Sequence, residues 1–570
     1  MTRFALLSLL TAVAIAAPLD ERQSGPSVTI ENGTVVGSSS EGVDSFKGIP
    51  YAQPPVGNLR LRPAQSITTS FGTIQATGSP SSCPQFFTQV DTDNVPEDAV
   101  GVLLDSPLLQ EATMSSEDCL TMNVQRPTGT NSSSDLPVLF WIFGGGFEFG
   151  STSMYDASSI VQQSIKLGQP IIYVSVNYRL GGFGFLAGSD LAKEGSTNLG
   201  LRDQRMGLHW TAENIKAFGG DPSKVTIWGE SAGSISVFDH TVINGGDNTY
   251  NGKPLFRGGI MNSGSVVPAT DVSSAKPQAV YDTVVENAGC SSASDKLACL
   301  RSTDYTTFLN AANSVPGIFS YQSLDLSYLP RPDPGDNFFS QSPEISINAD
   351  NFTKVPLIIG DQEDEGTLFS LVTDNITTNQ QLHDYVASYF PANPTVDQDV
   401  TNLLTYYPDE PLEGQPAGSP FRTGPLNNIY PQFKRLAAIL GDLTFTLARR
   451  VYLETIQPKQ SQPTWSYLSS FFYGTPVLGT FHASDLLFSY ELIPGPNEVQ
   501  TTLQTYYVSF VNYLDPNALG NVAPMINWPQ WTTQSPQLMN FLSLSNQIIE
   551  DDFRKNASDY LMTSQAKYRI

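Results

Sequence analysis

Lys224 to Val237, KVTIWGESAGSISV, is the stretch on which the fold turns. A short apolar segment (Val225, Ile227, Trp228) runs through Gly229-Glu230-Ser231-Ala232-Gly233 into small residues able to continue as a helix. Strand, sharp turn and helix in that order form the context that a G-x-S-x-G nucleophile elbow requires. A serine on so tight a turn is held in a strained conformation, and Gly229 and Gly233 leave room for strand and helix to approach closely. Ser231 is therefore expected at the C-terminal edge of a sheet. The alternative is an ordinary Gly/Ser turn, and the flanking segments argue against it.

Upstream, Leu136 to Phe143 (LPVLFWIF) is an unbroken apolar run bounded by Asp135 and by Gly144-Gly145-Gly146. Such a run with a glycine stop suits a strand buried on both faces of a parallel sheet. The glycines also suit chemistry, because acyl transfer builds negative charge on a carbonyl oxygen and unobstructed backbone N–H groups can be aimed at it. Ile171 to Asn177 reads as another buried strand. Leu201 to Phe218 reads as a helix stopped by Gly219, Gly220 and Pro222 before the elbow strand. Strand, helix, strand implies βαβ units around a mostly parallel sheet flanked by helices, an α/β fold.

The 570 residues contain no Ser/Pro linker, charge block or internal repeat, so residues 18–570 read as one large catalytic domain with insertions. Lys and Arg number 30 against 55 Asp and Glu, a net charge of −25 that repels phosphate backbones and anionic membrane surfaces and excludes nucleic acid as a partner. Residues 1–17 carry one basic residue (Arg3), an apolar core and small residues before Pro18, the pattern of a secretory signal peptide. Arg22 is a candidate site for a further trim. No later run is long and apolar enough for an integral membrane anchor, so a secreted, extracellular protein is expected.

Four cysteines, Cys83, Cys119, Cys290 and Cys299, permit three pairings. Sequential pairing, in which each bridge closes a local loop, is the reading adopted; metal ligation lacks C-x-x-C spacing and neighbouring histidines. Asn32, Asn131, Asn351, Asn375 and Asn556 each begin an N-x-[ST] sequon and are candidate glycosylation sites. Between Cys83 and Cys119 an acidic half precedes an apolar half containing Val100, Leu103, Leu104 and Leu108. It reads either as a buried surface excursion or as a mobile flap over a site.

A serine nucleophile needs a base, and the chain offers four histidines. His209 belongs to the helix before the elbow. His240 lies further along the helix that follows Ser231, about 14 Å away along its axis. His383 has apolar neighbours at helical spacing. His482, in TFHASD after a long aromatic stretch, has the look of a loop at a strand end. The acid falls between serine and histidine in the order this elbow uses. KVPLIIG (Lys354 to Gly360) is a strand candidate followed directly by Asp361, Glu363, Asp364 and Glu365, and local physics does not choose among these carboxylates.

FWIFGGGFEFG (Phe140 to Gly150), SEDCLTMNV (Ser116 to Val124), VTIWGESAGS (Val225 to Ser234), IIGDQEDEGTLF (Ile358 to Phe369) and LGTFHASD (Leu478 to Asp485) carry a resemblance over essentially the whole chain. The sequence resembles the type-B carboxylesterase/lipase family, the cholinesterase-like α/β-hydrolases, and is most similar within it to secreted fungal lipases and sterol esterases. The resemblance implies a triad of Ser231, Glu365 and His482, and an oxyanion hole from the N–H groups of Gly145, Gly146 and Ala232. It supports the bridges Cys83 to Cys119 and Cys290 to Cys299, and makes residues 83–119 a lid tethered at both ends. It also implies an acyl tunnel, for which Ile235, Phe319, Leu324 and Leu326 are candidate walls, with plain core as the alternative. Glu230 reads as structural support.

The function expected is hydrolysis of long-chain carboxylic esters, triacylglycerols and sterol esters, through an acyl-enzyme without metal or organic cofactor. An apolar lid favours a substrate at an oil-water interface, and a monomer or weak homodimer is expected. Choline esters are not, because the first disulfide loop of choline-binding relatives carries a tryptophan and Cys83 to Cys119 has none. The alternatives are a carboxylesterase restricted to short soluble esters, a non-catalytic binding module on the same fold, which the intact triad disfavours, and a peptidase, which the apolar lid disfavours.

Overall fold

Runs of β-branched, leucine and aromatic residues, broken by Gly, Pro and Asp, build the centre of the molecule. The computed structural model describes residues 25–87, 114–410, 426–492, 498–520, 525–543 and 545–570. Its main sheet has 11 strands. In chain order they are β1 Ser38–Ser40, β2 Val43–Pro50, β3 Thr121–Pro127, β4 Leu136–Ile142, β5 Ile172–Val176, β6 Gly220–Glu230, β7 Gly258–Asn262, β8 Leu357–Gln362, β9 Thr464–Ser469, β10 Gln537–Phe541 and β11 Gln547–Glu550. Across the sheet the order is β1-β2-β3-β5-β4-β6-β7-β8-β9-β10-β11.

All neighbours from β5 to β10 run parallel, and the antiparallel pairs lie at the two edges. β5, β7, β8 and β9 are buried at every residue, as strands covered on both faces must be. A shared direction puts the C-terminal ends of β4, β6, β7, β8 and β9 on one edge, where open α/β sheets hold their sites. A separate three-stranded sheet is formed by Ser27–Ile30, Gly33–Val36 and Gly72–Gln75.

The helix before the elbow, α1, spans Leu199–Asn214 and tightens into a 3₁₀ turn at Ile215–Phe218, stopped by Gly219 at φ 95°. That glycine supplies the left-handed conformation a helix end needs. The helix after the elbow, α2, spans Ala232–Gly246, and its dihedrals leave the helical region at Ile243, Asn244 and Gly245. Further on, α3 (Phe433–Gly441) and α4 (Leu447–Ile456) are joined without a break by a π turn at Asp442–Thr446. Beneath the elbow Trp141 and Trp228 pack with ring centres 4.3 Å apart, and Tyr490 stacks on Trp228 at 5.4 Å. Such aromatic pairs add about 0.5–1.5 kcal/mol each beyond the area they bury.

The expected cysteine pairing is present, with Cα atoms 5.0 Å apart for Cys83 and Cys119 and 5.7 Å for Cys290 and Cys299. In the chain-entropy account the longer loop stabilises by about 3–5 kcal/mol. The predicted lid falls mostly on residues 88–113 and the predicted signal peptide on 1–17, both outside the described residues. Among the described residues no helix is long and apolar enough to cross a membrane. Asn131, Asn375 and Asn556 are exposed, whereas Asn32 and Asn351 are half-buried.

Candidate active site

The turn between β6 and α2 is closed by close approach of backbone to backbone. A Cβ on Gly233 would stand 2.0 Å from the Ile142 carbonyl oxygen, and one on Gly229 would stand 2.2 Å from the Gly233 oxygen. Ser231 is left with φ 55° and ψ −125°, a conformation costing about 1–3 kcal/mol that only a well-packed surround maintains. Its N–H donates to the Asn262 carbonyl of β7 at 2.9 Å, which ties the strained residue to the neighbouring strand.

Parallel strands bring the other two groups to the same edge. β8 ends at Gln362, and the chain turns so that one carboxylate oxygen of Glu365 accepts from the Gln362 N–H at 2.7 Å. The other oxygen lies 2.5 Å from His482 Nδ1, and His482 Nε2 lies 2.7 Å from Ser231 Oγ. With Nδ1 carrying the proton toward Glu365, Nε2 is free to accept from the serine hydroxyl. The other carboxylates after β8 are engaged elsewhere: Asp361 pairs with Arg449 at 2.8 Å, and Asp364 accepts from the Thr480 N–H at 2.8 Å. Glu363 is buried, and the carboxylate that meets Nδ1 is that of Glu365. Of the remaining histidines, His209 stacks on Tyr250, His240 meets Gln204 and His383 meets the Asp397 carbonyl, so none reaches Ser231.

Two aromatic rings that sequence patterning missed hold the imidazole, Phe369 at 5.0 Å and Phe445 at 4.5 Å between centres. Phe445 sits in the π turn, an irregularity that period counting does not register. Two further carboxyls, Glu230 and Asp485, lie near the imidazole. Glu230 approaches Nε2 to 3.5 Å and has no hydrogen-bond partner among the described residues. Burial, then the charges of Asp485 and Glu365, raise its pKa well above the ordinary carboxylate range. Burial likewise pushes Asp485 up to about 6, although its carboxylate accepts from Asn262 Nδ2 at 2.6 Å.

Gly145 and Gly146, following β4, have φ of 98° and 63°, conformations that favour glycine. A side chain on Gly146 would strike Ile318 at 2.7 Å. Neither N–H donates to a protein acceptor among the described residues. Ala232 begins α2, where first-turn N–H groups have no partner within the helix. The loop is braced by Glu148, whose carboxylate accepts from the Ile318 N–H at 2.9 Å and whose carbonyl accepts from the Phe86 N–H at 2.8 Å.

Burial pushes the Glu148 carboxyl up to about 8, with the Ile318 hydrogen bond opposing. The folded protein therefore keeps a proton that the unfolded chain gives up near pH 4.5, and stability should fall as pH rises from about 4.5 to about 8. Glu148→Gln keeps an acceptor for Ile318 and removes that proton. Denaturant midpoints across this window should decline less in the variant, by on the order of 3 kcal/mol of stability. Parallel pH curves for the two proteins would reject the assignment.

Beside Ser231 lies an apolar cavity whose walls include Gly146, Ala232, Ile235, Leu324, Leu326 and Ile318. Three of the four expected tunnel residues are thus brought to it. Phe319 is not among its lining residues and packs between Phe149 and Phe369. A second apolar cavity adjoins the first, sharing Val267, Leu324, Thr444 and Ile570. Asp239 also lines the first cavity. The sequence reading passed over it, although its spacing from Ser231 and Ile235 puts all three on one helix face.

The model of the carboxylesterase family matches residues 24–560. The chain is 53% identical over 576 residues to secreted lipase 1 of Botryotinia fuckeliana, a match covering 100% of this chain and 99% of that protein. It is 52% identical to a secreted triacylglycerol lipase of Gibberella zeae, covering 96% of this chain and 92% of the other. Among solved structures it is similar to EstA of Aspergillus niger, with a TM-score of 0.78 and 25% identity over 96% of this chain and 99% of that one.

Proposed function

The chain belongs to the carboxylesterase family and is a carboxylic ester hydrolase, and from that premise we propose that it is a secreted lipase acting on long-chain triacylglycerols and sterol esters through a Ser231-His482-Glu365 acyl-enzyme. The observation that carries the reading is a nucleophile within 2.7 Å of its base at the mouth of an apolar cavity. The names of the two fungal relatives, one a secreted lipase and the other a secreted triacylglycerol lipase, support both the substrate class and export.

In this reading Ser231 Oγ attacks the ester carbonyl while His482 Nε2 takes its proton. Glu365 accepts from Nδ1–H, holding the imidazole in the useful tautomer and stabilising the imidazolium. The N–H groups of Gly145, Gly146 and Ala232 donate to the oxyanion, and each such donor is worth about 3–4 kcal/mol of barrier. His482 then returns the proton to the departing alcohol. Water, deprotonated by the same imidazole, attacks the acyl-enzyme and releases the acid and Ser231. The acyl chain occupies the cavity along Ile235, Leu324 and Leu326, and the adjoining cavity extends the space for a long one.

The test compares emulsified triolein and cholesteryl oleate with soluble p-nitrophenyl butyrate, with Ser231→Ala as the blank. Turnover of both emulsified esters is expected. Activity confined to the butyrate would make the protein a short-chain carboxylesterase. Turnover of triolein without cholesteryl oleate would remove sterol esters from the proposal.

A further inference from the structure

Asp239 follows Ser231 by two helical turns on the same face of α2, with Ile235 between them, and lines the same apolar cavity. It is 1% exposed, and neither of its carboxyl oxygens has a hydrogen-bond partner among the described residues. Most side chains lining the cavity, Ile235, Leu326 and Leu329 among them, can neither donate nor accept, and besides Ser231 and Asp239 only Thr444 in that lining carries a polar side chain. A buried polar group without a partner is disfavoured unless something brought into the site completes it. An acyl chain entering the cavity from Ser231 is what the site receives.

We infer that Asp239 is a polar subsite in the acyl cavity that selects fatty acyl chains bearing a hydroxyl partway along their length. The inference rests on the long-chain reading of the function. Asp239 lies roughly 12 Å from Ser231 along the helix axis, so a chain acylating the serine passes it well beyond the carbonyl. Burial raises the Asp239 pKa well above the ordinary carboxylate range, which favours the neutral acid. The neutral acid offers one O–H donor and a carbonyl acceptor, matching a hydroxyl that donates and accepts. An unsubstituted chain leaves both functions unmet, which lowers its relative rate, because a site built to bond a hydroxyl discriminates against the analogue lacking it.

The experiment measures kcat/KM for p-nitrophenyl esters of butyrate, of stearate and of hydroxystearates with the hydroxyl moved stepwise along the chain. The wild type should prefer one mid-chain isomer over stearate by about tenfold. Asp239→Leu should abolish that preference, and Asp239→Asn, which retains a donor and an acceptor, should keep most of it. Butyrate, whose acyl chain ends before Asp239, is the short-chain reference against which each protein's stearate and hydroxystearate rates are expressed. A wild type that hydrolyses every isomer no faster than stearate overturns the inference even if a variant misfolds. So does a preference that survives Asp239→Leu. In both of those cases stearate turnover leaves the long-chain reading standing. Butyrate turnover with no stearoyl turnover at all overturns that reading and this inference together.

Discussion

Ser231→Ala is expected to lower kcat/KM for p-nitrophenyl butyrate by about four to six orders of magnitude while the protein folds as before. The size follows from the geometry: Oγ has one side-chain partner, His482, and no other hydroxyl or thiol lies within hydrogen-bond reach of that imidazole among the described residues. The proposed oxyanion donors are backbone groups of Gly145, Gly146 and Ala232, so in that reading they remain when the hydroxyl is gone and leave only residual rate. Stability should change by no more than about 1 kcal/mol, because one hydrogen bond is lost and an alanine fills the same backbone conformation. Rates with purified protein, and unfolding curves beside them, check both halves. Activity within a hundredfold of wild type in a folded variant would show that Ser231 is not the nucleophile.

Arg449→Met should be the most destabilising of the substitutions considered, by about 3–5 kcal/mol. Arg449 sits on α4, 1% exposed, and its guanidinium spans two strands' ends. It donates to Asp361 at 2.8 Å, to both oxygens of Asp551 at 2.8 Å and to Ser466 Oγ at 2.9 Å. Asp551 keeps Arg450 and Trp531 Nε1 as partners when Arg449 is removed. Asp361 keeps none, since its other oxygen is already without one. The cost is therefore assigned to a stranded carboxylate at Asp361, and that assignment has its own check. Adding Asp361→Asn to Arg449→Met should recover part of the lost stability in denaturant unfolding. A double variant as unstable as the single one would place the loss in Asp551 or in packing instead. Because Asp361 is the next-to-last residue of β8, four positions before Glu365, activity should also fall in the single variant, through KM and kcat together.

The stretches that could be read from sequence are those in which local pattern and tertiary role coincide. The elbow is one, since Gly229 and Gly233 are required by contacts within the turn itself and with β4. The strands β4, β5 and β8 are others, because burial on both faces draws mostly apolar residues into them, with Ser175, Asp361 and Gln362 as the polar exceptions. The choice of Glu365 over Asp361 and Asp364 could be made only by resemblance to a family. In the structure it follows from how far β8 extends past Gly360 and from which strand end Thr480 meets, and neither is a property of residues 361–365 alone. Phe319 is a candidate wall only through the resemblance to the family, with plain core as the alternative, and its ring packs between Phe149 and Phe369. Glu148 lies inside the quoted motif Phe140 to Gly150, and Asp239 lies two residues beyond the elbow stretch. Their roles rest on the absence of partners or on a single backbone donor from a distant loop, which no local pattern contains.

The π turn at Asp442–Thr446 has a consequence for how this chain can change in length. One residue more or less rotates everything beyond it by about 100° around a helix axis. The two ends here are each fixed independently: α3 rests against Gly366, where an added Cβ would meet the Ala437 carbonyl oxygen at 1.8 Å, and α4 is pinned through Arg449 and Arg450 to Asp551. The wide turn absorbs the mismatch in phase between them, like the slack link that lets two geared shafts mesh out of step. Deleting a residue inside it would force a choice between keeping Phe445 against His482 and keeping the arginines on Asp551. A change of length inside the α3–α4 run would thereby disturb the aromatic wall that Phe445 gives His482.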